Sequence, residues 1–389
     1  MARILQVHNE YVQHGGEDRV VADEFRLLTS RGHEVRQFIV SNRDVDTESR
    51  MGKIRLAKDV VWSRRHEQSI QALVSEFQPQ IAHVHNTMPQ LSPNVFRLLK
   101  ESGCQVVATL HNFRMCCVNG LLLRDGQICT LCVNGSSANA VRYACYRGSR
   151  LGSAAVAFSY AIHRKTMFEC IDKFVVLNEV TKELFASIGI PEHKMFVKPN
   201  FVEVPLKPRI ALDQRPRTIA YIGRVSVEKG LDRLLKAWTQ VDTGDWRLAI
   251  AGDGPSNESL KSAYGHVPSL DWLGNIDHER VYELLESSRW LAVPSVCIEQ
   301  FGMSAVEALS RGTPCLVSDI GALPNFILPE NTGYVFSHDA EPSLAQTLTR
   351  VFDQDEEDWT AMSIAAQAKA SGSYSPDTNY KRFCEIYEL

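Results

Sequence analysis

The sequence predicts an α/β protein made of two doubly wound, parallel-sheet halves. Short β-branched runs alternate with longer helical patterns along the chain, the order that produces parallel strands joined by crossover helices. A proline-rich, aperiodic stretch at 201–216 divides that alternation into two series. Each series carries glycine loops directly after predicted strands, where sheets of this kind bind ligands.

In the first series the strands are expected at Ile4–His8, Val35–Ile39, Ile81–His85, Val106–Leu110 and Phe174–Leu177. A helix over Val20–Arg31 stops at Arg31-Gly32-His33. The second series runs strand Thr218–Ile222, helix Gly230–Thr239, strand Arg247–Ala251, helix Glu279–Ser287, strand Trp290–Val293, helix Met303–Ser310 and strand Cys315–Val317. The expected division is an N-terminal domain at 1–200 with a cysteine-rich insertion at 112–150, a linker at 201–216, a C-terminal domain at 217–374 and a last segment at 375–389, with a cleft between the two domains.

With 389 residues, 44% hydrophobic and 23% charged, the composition is that of a globular, multidomain chain. The net charge of −4 hides an asymmetry. Residues 1–200 hold 25 Lys and Arg against 19 Asp and Glu, and the remainder holds 17 against 27. Much of the basic excess lies in Arg50, Lys53, Arg55, Lys58, Arg64 and Arg65, interleaved with Leu56, Val60, Val61 and Trp62. That pattern suits a helix resting on lipid headgroups, or a solvated helix face. The longest apolar tract, Ala154 to Ile162, is too short to span a bilayer. The opening residues read as a buried strand and not as a signal peptide, so the expected location is the cytoplasm, at most peripheral to the inner face of the membrane. The overall negative charge and the lack of aromatic platforms among the basic residues argue against nucleic-acid binding.

The stretch Glu299-Gln300-Phe301-Gly302-Met303-Ser304-Ala305-Val306-Glu307 sets two carboxylates eight positions apart around a turn that opens an apolar helix. On one helix they would stand roughly 12 Å apart, too far for the pair of a double-displacement glycosidase, which needs about 5–5.5 Å. Between them, Gly302 to Ser304 would offer free N–H groups at a helix N-terminus, a place for phosphate. A sugar nucleotide, with hydroxyl-rich ends around a diphosphate, fits that layout. The glycine loops are His14-Gly15-Gly16-Glu17, Gly223-Arg224 continuing to Lys229-Gly230, and Gly252-Asp253-Gly254-Pro255. None is a P-loop or a dinucleotide fingerprint.

Taken in order, Gly223-Arg224-Val225-Ser226-Val227-Glu228-Lys229-Gly230, Ala251-Gly252-Asp253-Gly254-Pro255, and Pro294-Ser295 leading into Glu299 to Glu307 resemble the retaining GT-B-fold glycosyltransferases of family 4 (group 1). Ala308-Leu309-Ser310-Arg311-Gly312-Thr313-Pro314-Cys315 continues the likeness. Asn9-Glu10-Tyr11 with Gly15-Gly16-Glu17-Asp18, Val84-His85-Asn86 and Thr109-Leu110-His111-Asn112 extend it over the first half. The resemblance implies that Arg224 and Lys229 grip the donor diphosphate, that Glu307 accepts from the ribose, and that Glu299 accepts from the transferred sugar. It also implies that His111 reaches the donor from the other domain, with Gly15 and Gly16 admitting the backbone close to the sugar phosphate. Gly223, Gly252, Gly254, Phe301, Gly302, Met303 and Ser304 complete the implied donor site. The implied donor is a UDP or GDP sugar, the implied acceptor a glycan or lipid-linked molecule, and the reaction a retaining transfer without a catalytic metal. Asp44-Val45-Asp46 and Asp353-Gln354-Asp355 match the metal motif of the rival GT-A fold, but 20 aspartates in 389 positions produce about one such match by chance. Asn325 stands after Gly321-Ala322-Leu323-Pro324, where the family usually has Glu, and Tyr380 to Tyr387 corresponds to a last helix that returns to the first domain.

Cys117, Cys129, Cys132 and Cys145 include one Cys-x-x-Cys knuckle with two outlying thiols, a candidate structural zinc site. An iron–sulfur cluster and incidental thiols are the alternatives. The reading as a whole is a hexosyltransferase acting in surface polysaccharide synthesis. The rivals are a GT-B-fold epimerase or hydrolase of a nucleotide sugar, and a non-catalytic, zinc-stapled nucleotide-sugar-binding protein.

Overall fold

A computed structural model describes residues 1–389 except 13, 14, 44, 46–48, 134 and 206–208, and except the side chains of Arg50 and Glu341. His14, Asp44, Asp46 and the Arg50 side chain therefore lie outside the described residues.

The chain divides into two units. The first comprises Met1–Leu122, Cys129–Pro199 and Tyr380–Leu389, and the second Leu123–Ile128 and Asn200–Asn379. The first contains strands β1 (Arg3–Glu10), β2 (Glu34–Ser41), β3 (Ile81–Asn86) and β4 (Gln105–Thr109). A short hairpin, β5 (Leu123–Arg124) and β6 (Gln127–Ile128), follows in sequence and is counted with the second unit. The first unit then resumes with β7 (Lys173–Val176) and β8 (Met195–Val197). Its sheet runs β2-β1-β3-β4-β7-β8, all parallel. The second unit holds β9 (Thr218–Ile222), β10 (Arg247–Ala251), β11 (Leu270–Gly274), β12 (Trp290–Val293), β13 (Cys315–Ser318) and β14 (Gly333–Phe336). They run β11-β10-β9-β12-β13-β14, again all parallel.

Central strands β3 and β12 are buried at every residue, and β12 accordingly reads as an unbroken apolar run and not as alternation, whereas β3 buries His83, His85 and Asn86 among its apolar residues. Helix Leu231–Trp238 buries Leu231, Leu234, Leu235 and Trp238, the i, i+3, i+4, i+7 stripe that packs on a sheet. With Trp246, Trp290 and Leu248 they form the second unit's core. The stretch expected as a linker ends inside this unit: Arg215 is buried and donates to the carbonyls of Ser288, Arg311 and Gly312 and to Thr313 Oγ1.

The last helix, Pro376–Tyr387, closes the first unit's core with Phe383, Ile386 and Tyr387. Tyr387 OH meets His83 Nδ1 at 2.7 Å, and Tyr380 OH meets His33 Nε2 at 2.8 Å.

In each sheet the winding reverses beside the first strand of the series, between β1 and β3 and between β9 and β12. The crevice outside the carboxyl ends at such a reversal is where doubly wound sheets hold ligands. All the described glycine loops named above leave the carboxyl end of a strand in one sheet or the other.

Trp290 is fully buried on β12 and stacks on Tyr334 at 5.3 Å between ring centroids. Trp290→Ala is expected to cost about 3–5 kcal/mol in the second unit's unfolding, read from denaturant midpoints; a loss below 1 kcal/mol would contradict this packing.

Candidate functional site

The second unit's loops are knitted together by backbone. Gly223 N–H donates to Ala251 O at 3.1 Å, Val225 N–H to Asp253 O at 3.0 Å, and Val296 N–H to Glu228 O at 3.0 Å. These approaches require glycine. A Cβ on Gly252 (φ +140°) would lie 1.8 Å from Gly223 O, and one on Gly230 (φ +66°) would lie 1.9 Å from Pro294 O. Gly254 is equally confined, with a Cβ position 2.4 Å from Val225 O.

Against this frame sits a charged pair. Lys229 Nζ donates to Glu299 Oε1 at 2.6 Å, and Ser295 Oγ donates to the same oxygen at 2.7 Å. Gly321, in left-handed backbone at φ +60°, lets its loop pass so close to Glu299 that a Cβ would come 2.8 Å from the Glu299 N. Burial works to lower the Lys229 ammonium, but the Glu299 carboxylate outweighs it and holds it above its ordinary value. The lysine is thus a fixed, fully charged cation. Arg224 lies exposed on the same loop, its carbonyl accepting from Tyr221 OH at 2.9 Å.

Helix Met303–Ser310 begins beside this pair in sequence, with Gly302 as its N-cap. Glu299 precedes the helix, so the two carboxylates do not share one, and Glu307 is buried on it, with His278 Nε2 at 3.9 Å. Two expectations are corrected here. The Met303 N–H is not free, because it closes a tight turn onto Phe301 O at 3.1 Å. The Phe301 ring is not presented to a ligand, because it is buried edge-on against Phe326, 4.8 Å between centroids, and Tyr374. Gly302 is tight too: a Cβ there would lie 2.9 Å from Leu323 Cδ2. Ser304 is half-buried in the first helical turn, and Asn325 is exposed. Asp355 of the chance Asp-x-Asp match caps its own helix, accepting from Asp358 N at 2.8 Å.

The first unit has a site of its own at the carboxyl ends of β1, β3 and β4. Gly15 caps helix Gly16–Ser30 in extended backbone, and its N–H donates to Asp18 Oδ2 at 2.8 Å. Asp18 Oδ1 is 2.7 Å from His8 Nε2. Burial opposes the Asp18 carboxylate, yet the hydrogen bonds from His8 and Gly15 hold it below its usual range. Among the described residues, the nearest atom to a Cβ on Gly15 would be Asp18 Oδ2 at 4.0 Å. Glu17 accepts from Tyr11 OH at 2.9 Å and from Asn112 Nδ2 at 3.1 Å, so the helix start is tied to the residue after His111. A cavity of about 50 Å³ is lined by His85, Asn86, His111, Arg114 and Tyr160, among others.

His111 Nε2 lies 3.0 Å from His85 Nδ1, and the two rings stack. Burial lowers the His111 imidazole to about 4 and holds His83 and His85 well below the ordinary histidine value. Behind them Lys198 Nζ pairs with Glu24 Oε1 at 2.7 Å, both fully buried. Sequence reasoning assigned no role to Glu24, His85, Lys198 or Ser295. Only Val84-His85-Asn86 and Pro294-Ser295 were visible, as motif fragments.

The cysteines do not assemble as expected. Among the described residues, the group whose donor atoms lie within 4.8 Å of one another is Glu24, His83 and His85, not the four thiols. Cys117 Sγ turns to Asn119 Oδ1 at 2.9 Å, and Cys129 and Cys132 are not in disulfides. Burial raises the Cys132 thiol, helped by Cys117, Cys145 and Cys129 nearby. Nor does the histidine–glutamate group suit a metal ion. Its carboxylate already holds the Lys198 ammonium, and both His83 nitrogens are engaged, by Tyr387 OH and by Thr109 Oγ1, at 2.7 Å each.

With this geometry in view, comparison with known proteins decides the family. Residues 14–205 match "Glycosyltransferase Family 4" and residues 205–369 match "Glycosyl transferases group 1". The chain belongs to the family 4 glycosyltransferases. It is 24% identical over 250 residues to an uncharacterized glycosyltransferase of Methanocaldococcus jannaschii, covering 59% of this chain and 63% of that protein. The chain thus spans less than two thirds of the length of the curated relatives it matches first. Among solved structures, the sucrose-phosphate synthase of Thermosynechococcus elongatus superimposes with a TM-score of 0.73 at 17% identity, over 100% of this chain and 98% of that one. The Anabaena HepE structure in complex with UDP and glucose gives 0.67 at 15% identity, over all of both chains. The fold is therefore GT-B.

Acid should loosen the first unit. Between pH 6.5 and about 4 the unfolded chain protonates His83, His85 and His111 while the folded one resists, so stability drops as pH falls. Glu24, raised by burial, works the other way as one group against three. Each histidine contributes a slope of up to about 1.4 kcal/mol per pH unit. Denaturant midpoints that stay constant from pH 7 to 5 would contradict the buried, neutral cluster.

Proposed function

We propose that the protein is a retaining hexosyltransferase that uses a nucleoside-diphosphate sugar, with Lys229 and Arg224 on the diphosphate, Glu299 on the transferred sugar and Glu307 on the ribose. The observation that carries this reading is the Lys229–Glu299–Ser295 cluster at the carboxyl ends of β9 and β12. The UDP and glucose held by the Anabaena neighbour support it.

In this reaction the anomeric carbon–oxygen bond to the diphosphate breaks as a bond to the acceptor oxygen forms on the same face. The departing phosphate oxygen takes the acceptor's proton. Charge grows on the leaving diphosphate, so a cation already fixed in place stabilises the transition state more than the ground state. Lys229 and Arg224 would do this work without a catalytic metal. In the same reading Gly15, Gly16 and His111 of the first unit serve the sugar phosphate, and Gly223, Gly252 and Gly254 hold the loops that shape the donor site.

The acceptor we propose is a lipid-linked or oligosaccharide chain of surface polysaccharide synthesis. Helix Arg50–Val61 supports a membrane-facing role, because Met51 and Ile54 are 76% and 62% exposed beside exposed Lys53, Arg55 and Lys58. Its neighbour, helix Arg150–Cys170, hydrogen-bonds to it through Ser159 Oγ and His163 Nε2 and exposes Leu151 and Phe158. No described helix is long and apolar enough to cross a membrane.

Isothermal titration with UDP and GDP sugars, followed by turnover assays, tests the site. Glu307→Ala is expected to weaken nucleotide binding, Glu299→Ala to slow transfer mainly through kcat, and Lys229→Ala to do both. Each loss should be roughly 10- to 150-fold, the value of one charge-assisted hydrogen bond. Equal turnover by Glu299→Ala and wild type would remove Glu299 from the mechanism. For the membrane contact, the wild type should sediment with anionic vesicles, and Lys53→Glu/Lys58→Glu should not. Equal sedimentation of the two with anionic vesicles would contradict the contact.

A further inference from the structure

We propose that Glu24 and His85 are positioning residues that hold His111 in a single tautomer, with Nε2 protonated and the acceptor lone pair on Nδ1. The role of that lone pair, accepting from a donor-sugar hydroxyl, rests on the function proposed above. The tautomer itself does not.

One buried charge in the first unit has only one good place to go. Glu24 lies on helix Gly16–Ser30 and is wholly buried, with its Oε1 bonded to Lys198 Nζ at 2.7 Å. Burial raises the Glu24 carboxyl and the Lys198 ammonium opposes that shift; in the ion pair so formed, the second oxygen needs a donor. Among the described residues neither Glu24 Oε2 nor the buried His85 Nε2 has a hydrogen-bond partner, yet the two lie 3.5 Å apart. His83 Nδ1 stands 3.8 Å away but is taken by Tyr387 OH, and its Nε2 by Thr109 Oγ1. His85 is therefore the group that turns a proton toward Glu24.

The remaining assignments follow from the two-nitrogen rule of a neutral imidazole, one donor and one acceptor. With His85 protonated on Nε2, its Nδ1 must accept. The partner of Nδ1 is His111 Nε2 at 3.0 Å, which must then donate. His111 Nδ1 is left with the lone pair. The opposite arrangement points a bare His85 Nε2 at a carboxylate oxygen in a buried site, two acceptors facing each other. Lys198 also has a further anchor in the Phe383 ring, 4.5 Å away, so the charge that sets the series is itself held in place.

The low pKa of His111 fits this arrangement without carrying it, since a neutral ring is the one that has a tautomer to fix. An imidazole so held acts as a hydrogen-bond acceptor and not as a cation.

The test is long-range nitrogen–proton NMR of the full-length protein with ¹⁵N-labelled histidine, the His111 signals being assigned by their loss in His111→Gln. The expected result is a protonated Nε2 and a pyridine-type Nδ1 at neutral pH. A protonated Nδ1, or signals averaged over both tautomers, would overturn the proposal. Glu24→Gln, checked for native circular dichroism, should convert His111 to a mixture and lower kcat roughly tenfold, about one neutral hydrogen bond, with KM little changed. A folded Glu24→Gln protein with an unaltered His111 spectrum also overturns it, and if the variant does not fold the wild-type spectrum alone decides. Should the tautomer be as stated while His111→Gln turns over like wild type, the positioning stands and the sugar-contact role of His111 fails.

Discussion

An ammonium held 2.6 Å from a carboxylate, where the second sheet reverses its winding, is the contact on which the donor-side account depends. Neither partner is free to wander. Ser295 shares the carboxylate oxygen, Gly321 pins the Glu299 backbone, and Gly230 brings the lysine loop against the Pro294 carbonyl. A cation fixed before substrate arrives costs no reorganisation when charge develops on a leaving group. In the proposed reading the second oxygen of that carboxylate takes a sugar hydroxyl, so that the pair would serve two ends of one ligand.

The first unit solves a different problem with similar means. The buried His83 and His85 and the half-buried His111 would be costly if charged, and burial holds all three below the ordinary histidine value while hydrogen bonds link them in series. The buried charge that orders this series is Glu24, and its counter-ion Lys198 comes from the segment after β8, far away in sequence. No local pattern announces such a network. It exists only once β1, β3, β4 and the helix Gly16–Ser30 are assembled, which explains why His85 was visible as a motif fragment and Glu24 not at all.

Legibility in the sequence followed the same divide between local and non-local physics. β9, β10, β12 and the helix Met303–Ser310 were placed at their observed ends, because apolar runs there stop abruptly at glycine, proline or a helix start. β8, β11 and β14 were overlooked: each is short, and β11 is only partly buried, so no continuous apolar run marks it. The hairpin β5–β6 did carry a signal, since Asp125-Gly126 is a turn dipeptide and both residues have positive φ. At the site, the loop identities of Lys229 and Glu299 were readable, but their mutual contact was not. The engagement of the Met303 N–H and the burial of Phe301 are turn and packing facts that spacing cannot express. The cysteine spacing suggests a four-sulfur cage, whereas the tight donor cluster among the described residues is Glu24, His83 and His85, and Cys117 Sγ turns to Asn119 Oδ1.

The central claim is that a diphosphate seats against Lys229. A crystal structure of the protein soaked with UDP or GDP tests it most directly. The account predicts pyrophosphate density within hydrogen-bond distance of Lys229 Nζ, with the glycine loops after β9 and β10 unmoved. Diphosphate bound elsewhere, or density absent with Lys229 still closed on Glu299 at saturating nucleotide, would contradict it.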